Sequence, residues 1–237
     1  MTPFRSTKDG YVARWERVER HVLARVARDV AELVRAESGL GPDVEAGEGV
    51  AFTGVGRVPH DPAVQRLLPD AHREDADVAA DFRHLTQTDL AAAKVARLEA
   101  FADLLDPDHA ATDRADDGLA DDVDLGLTDD AEWSIPGEVR VAREDAQAFA
   151  GALTDVRIVL AERLGLDDDE AVERLHDEIV AGVADDDLDD DEADDDATEG
   201  AVDGDQRRYW GGVFVAAGFA QESLVDEMLA DLRAQRG

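Results

Sequence analysis

"GALTDVRIVLAERLG", residues 151–165, is the stretch on which the reading of this chain turns. Leu153, Leu160 and Leu164 share one face of a helix, and a glycine follows where a helix would stop. Arg157 falls on that same face, four residues after Leu153 and three before Leu160. A guanidinium keeps its charge at any physiological pH, so an arginine in an apolar stripe must find a partner. Asp70, Asp81, Asp89 and Glu222 are the carboxylates considered for it.

Two further helical stretches repeat the pattern. Lys94 lies four residues after Leu90 and four before Leu98, and Gln221 lies four after Ala217 and three before Leu224. Arg157, Lys94 and Gln221 are therefore the candidate site. They read either as a structural polar network that fixes helix register or as a pocket for a carboxylate or phosphate.

Working outward, "FRSTKDGYVAR" has two short extended runs around Asp9-Gly10, a hairpin signal. A helix is expected over about Glu16–Glu37, with Val18, Val22, Val26, Val30 and Leu33 inward and Gly39 as its stop. The Gly- and Pro-rich residues 39–60 read as a loop with a short strand at Val50–Thr53. Asp61-Pro62 pairs an N-cap acid with a first-turn proline. A helix near Asp75–Leu85 follows, with Val78, Phe82 and Leu85 inward. "TQTD" then offers a cap for a second helix ending near Leu105. "GEVRVA" is a candidate strand, Asp167–Asp169 cap a helix to about Val183, and the last segment from Tyr209 is helical, with Val213, Ala217, Leu224, Met228 and Leu232 inward.

The expected fold is mainly α: one helical-bundle domain over residues 1–237, with a small N-terminal antiparallel β-hairpin element. Two acidic loop insertions, 106–132 and 185–205, are expected to be disordered, because they cannot bury enough apolar surface to fold. They hold 11 and 13 acids, so the formal net charge of −34 falls to −11 for the remainder. Such a field repels nucleic acid. No apolar run approaches the ~20 residues of a membrane span. The opening residues lack the apolar core of a secretion signal, and there are no cysteines, which reads as a cytoplasmic chain.

Catalytic signatures are missing. None of the six histidines forms a paired metal spacing, and none of the four serines sits in a nucleophile elbow. Residues 113–124 approach a calcium loop, but Ala115 and Asp124 stand where a third-position ligand and a bidentate glutamate are needed. No metal and no cofactor is expected. Trp15, Trp133, Tyr209 and Trp210 flank predicted elements, either as caps on the core or as a partner surface.

"DPAVQRLLPDAHREDADVAADFRHLTQTDLAAAK" (61–94), "RVAREDAQAFAGALTDVRIVLAERLGL" (140–166) and "FAQESLVDEML" (219–229) occur in this order, after Phe4 and Val12-Ala13-Arg14. Together they resemble an uncharacterised actinobacterial family, a domain of unknown function, whose genes neighbour that of the ClpS adaptor of the Clp protease. Here Thr154-Asp155-Val156-Arg157 stands where members of that family usually have Asn-Asp-Leu-Arg. The resemblance implies a cytoplasmic accessory role connected with regulated proteolysis; together with the missing catalytic motifs and the charged insertions, it leads to the expectation of a non-enzymatic accessory or interaction protein with a protein partner. The other class of function open to the chain is a small-molecule or anion-binding regulator using Arg157, Lys94 and Gln221.

Overall fold

Alternation of small and apolar residues builds a sheet at the start of the chain. In the computed structural model, which describes residues 1–40, 58–70, 75–107, 137–186 and 199–236, strands β1 (Arg5–Thr7) and β2 (Gly10–Trp15) form the expected hairpin. Strand β3 (Gly137–Val141) adds to β2, giving an antiparallel sheet in the order β1-β2-β3. Tyr11, Ala13 and Trp15 alternate inward on β2 opposite Val141, Val139 and Gly137, and all five side chains beyond glycine are buried. Gly10 has a φ of +148°, and a Cβ there would stand 2.3 Å from the Val141 carbonyl oxygen. No other residue fits that approach without moving the strand.

Helices supply the rest: α1 (Arg17–Ser38), α2 (Pro62–Leu67), α3 (Ala76–Leu105), α4 (Ala146–Leu164), α5 (Asp169–Asp186) and α6 (Glu199–Ala234). Gly39 closes α1 in the left-handed conformation, as its sequence predicts. Asp61 caps α2 by accepting from the amides of Ala63 and Val64. The chain is mainly helical with a small N-terminal antiparallel sheet, the fold class expected.

Helix α4 is the central element. It runs antiparallel to α3, with Phe149 against Phe101 at one end and Asp155 against Lys94 further along. It also packs on α6, α2 and α1. Phe4, Trp15 and Phe149 meet beneath the sheet, with Phe4 edge-on to both neighbours at centroid distances of 5.4 and 5.8 Å.

Three expectations need correction. "TQTD" does not divide two helices: α3 runs unbroken for 30 residues, because no proline or glycine interrupts it there. Val18, Val78, Leu85 and Leu232, expected inward, are exposed. Among the described residues, the ion pairs tying α3 and its C-cap to α1 and α4 run from Lys94 to Asp106, and Val78 and Leu85 precede them on the helix. Residues 185–186 and 199–205, expected within the acidic disordered insertion, are helical. Most of both acidic segments, the expected strand at 50–53, Trp133 and the calcium-like residues 113–124 lie outside the described residues.

Candidate functional site

The three candidate residues separate into two clusters on opposite sides of α4. On the α3 side, Lys94 Nζ donates to Asp155 Oδ1 at 2.7 Å, and Arg97 Nη2 donates to Asp155 Oδ2. Asp155 is 2% exposed, so its carboxylate has exchanged water for two cations. Gly151 lies beside this pair: a Cβ there would stand 2.9 Å from Arg97 Nη1, so the guanidinium would have to shift.

On the α6 side, Arg157 Nη1 donates to Gln221 Oε1 at 2.7 Å. Gln221 Nε2 donates in turn to Thr154 Oγ1 at 2.6 Å, and Thr154 donates to the Ala150 carbonyl at 3.0 Å. The Arg157 guanidinium lies 5.2 Å from the centroid of the Phe214 ring. Arg157 Nε is buried with no acceptor. None of the four carboxylates considered from the sequence pairs with it; its hydrogen bond goes to an amide instead.

Arg157 and Gln221 thus meet, while Lys94 joins Asp155 and Arg97, two residues the sequence reading did not select. A signal for Asp155 existed. It lies three residues after Ala152 and four before Val159, both buried, so it too interrupts an apolar stripe. A reading built on one stripe misses it because α4 buries two faces.

A third polar cluster has no counterpart among the sequence candidates. Asp231, near the end of α6, accepts from Ser6 Oγ at 3.0 Å, from the Tyr11 hydroxyl at 2.9 Å and from Arg143 Nη1. Arg143 also donates to the Thr7 carbonyl at 2.6 Å and lies over the Tyr11 ring. One and two turns earlier on α6, Glu227 accepts from the Ser6 amide at 3.0 Å and Ser223 from the Phe4 amide at 3.2 Å. Residues 223, 227 and 231 form one helical ridge, and that ridge takes the place of a fourth strand along β1. Hydrogen bonds from Arg143, Tyr11 and Ser6 hold the Asp231 carboxyl below its usual pKa. Burial, then the adjoining Asp231 carboxylate, pushes the Tyr11 phenol up.

With this geometry in view, the comparison with protein families is decisive: a family described as a domain of unknown function, DUF2017, matches residues 1–228. The chain belongs to the DUF2017 family. No curated protein and no solved structure matches it. Among the described residues of this DUF2017 chain, no group of three or more acidic, histidine or cysteine side chains is placed to hold a metal ion. No helix among them is long and apolar enough to cross a membrane.

Two surface grooves lie away from the Arg157 and Lys94 clusters. One, of about 640 Å³, runs between α1, α4 and α6. The other, of about 400 Å³, lies between α1 and α6, with Ile179 of α5 at its side. Trp210 is partly buried and lines the first; Tyr209, beside it, is 51% exposed and lines the second. Trp15 is wholly buried in the core.

Proposed function

We propose that this DUF2017 protein is a non-enzymatic cytoplasmic accessory protein that acts by docking a protein partner, and that the partner belongs to Clp-type regulated proteolysis. The observation that carries the docking reading is the smaller groove. Its walls are Val18, Val22, Val213 and Ala216, and two large apolar side chains, Val18 and Tyr209, stand exposed on its rim. Exposed apolar surface around an aromatic anchor is the composition of a protein interface, and tyrosine is among the residues that dominate binding energy there. The Clp link rests on the gene neighbourhood of the family resembled.

The test is calorimetric titration of the purified protein against the purified ClpS adaptor and the Clp subunits of the same cell. A saturable complex is expected, weakened at least tenfold in Val18→Asp and Tyr209→Asp variants that keep the parent circular dichroism. Capture of basic proteins alone, undiminished in those variants and lost in salt, would overturn the reading, since charge at −34 suffices for that.

One observation favours the anion-binding regulator as a second reading: among the described residues, no carboxylate balances Arg157. On that reading phosphate or a small carboxylate raises the Tm of the parent and leaves Arg157→Leu unmoved.

A further inference from the structure

The larger groove is a different kind of site. Its walls include aliphatic side chains from α1 and α4, among them Val30, Leu33 and Leu160, and Trp210 of α6 also lines it. A volume of about 640 Å³ falls within the range of small-molecule clefts. Two guanidiniums reach it at the C-terminal end of α4. Arg163 is held from behind by Asp61, and Arg207 by a 2.9 Å bond from Nη1 to the Leu164 carbonyl, with Glu178 3.5 Å from its Nε.

These anchors matter more than the charges alone. A guanidinium carries five N–H donors in a rigid fork. Arg163 commits Nη2 to Asp61, and Arg207 commits Nη1 to the helix end, so each keeps donors for another acceptor. Their side chains are 50% and 44% exposed, which leaves those donors accessible. Asp61 and Glu178 offset the charge of these two arginines and Asp29 also lines the groove, so what the arginines offer a ligand is their uncommitted N–H donors. In a chain of net charge −34, an apolar trough with guanidinium donors exposed at one end is a local departure from the acidic surface.

We propose that the trough between α1, α4 and α6 binds an aliphatic molecule ending in a carboxylate, its chain along Val30, Leu33 and Leu160 and its head on Arg163 and Arg207. This site is separate from the docking groove and from Arg157, and does not depend on either reading above. The polar groups give the head its position; the aliphatic walls supply the affinity.

The experiment titrates the full chain with octanoate and with 1-octanol, in moderate salt, following heat and tryptophan fluorescence. Octanoate is expected to bind saturably at one site, about tenfold more tightly than octanol, the factor expected from about 1.4 kcal/mol of head-group contact. Arg163→Gln and Arg207→Gln should each reduce that preference while leaving octanol binding unchanged. Leu33→Trp, which fills the trough from its α1 wall, should abolish binding of both. Equal affinity for acid and alcohol would overturn the proposal. So would no binding of octanoate, or undiminished binding by a folded Leu33→Trp variant. If Arg207→Gln loses its fold because the α4 end is released, Arg163→Gln and Leu33→Trp still decide the matter.

Discussion

The seam around α4 and the ridge along β1 use the same chemistry, guanidinium, carboxylate and amide, in opposite settings. At the seam, Asp155 is 2% exposed and faces two cations, while Arg157 across the helix has an amide and an aromatic face. Among the described residues, two cations thus share one anion on one side of α4, and a third cation on the other side has none. At the sheet edge, Asp231 is 22% exposed and accepts from three donor atoms. In the seam, charge is retained because losing a partner would strand the other in low dielectric. At the edge, the energy at stake is small, and what the contacts fix is geometry: backbone amides of Phe4 and Ser6 find acceptors, and β1 is closed to further strands. The excess positive charge of the seam is more tolerable in a chain of net charge −34, whose acids supply a favourable field at long range.

The largest effect should come from breaking the seam at its anion. Asp155→Ala leaves Lys94 and Arg97, 14% and 28% exposed, without their carboxylate. A cost of about 3–5 kcal/mol is expected. For a chain of this size that is a fall of roughly 10 °C in Tm, read by calorimetry. Next is the α6 side. Gln221→Ala removes the amide that accepts from Arg157 and should cost about 1.5–3 kcal/mol, the worth of a hydrogen bond to a charged group. Arg157→Leu removes the charge itself from an apolar stripe and should be close to neutral. A large loss in Arg157→Leu would show that the guanidinium holds α4 to α6 rather than being merely accommodated there.

The contrast also explains what the sequence disclosed. Helices, caps and the hairpin are local: Asp61-Pro62, Asp9-Gly10 and Gly39 act within a few residues, and the structure realises each one. The polar seam was half legible, because Arg157 and Gln221 interrupt apolar stripes and such interruptions show in periodicity. Asp155 did not show, since α4 buries two faces and a one-stripe reading of "LTDVRIVL" has no place for a second. The ridge of Ser223, Glu227 and Asp231 was not legible at all. Its spacing is that of any solvated helix face, its partners at the start of the chain lie 219 to 225 residues away, and Arg143 lies 88 away. The exposure of Val78 and Leu85 was hidden for the same reason, because periodicity records a face but not whether anything covers it.

The smallest effect belongs to Asp231, and pH exposes it. Its carboxyl titrates below the ordinary value in the folded chain, chiefly through Arg143. A depressed folded pKa means the unfolded chain binds the proton more readily as acid is added. The stabilisation is therefore whole above the ordinary aspartate pKa of about 3.9 and is lost as pH falls through and below it. Asp61 shifts the same way: burial raises its pKa, but the Arg163 bond and the two α2 amides outweigh it. Asp231→Asn should thus flatten the acid limb of a Tm-against-pH curve without abolishing it. Hydrogen exchange separates the ridge into its parts: Phe4, bonded to Ser223, should keep its protection in that variant, while the Ser6 and Tyr11 end of the strand exchanges faster. Uniform loss of protection along β1 would mean that Asp231 holds the whole of α6 against the sheet. The edge would then stand with the seam as a determinant of stability, and the distinction between the two regions would fail.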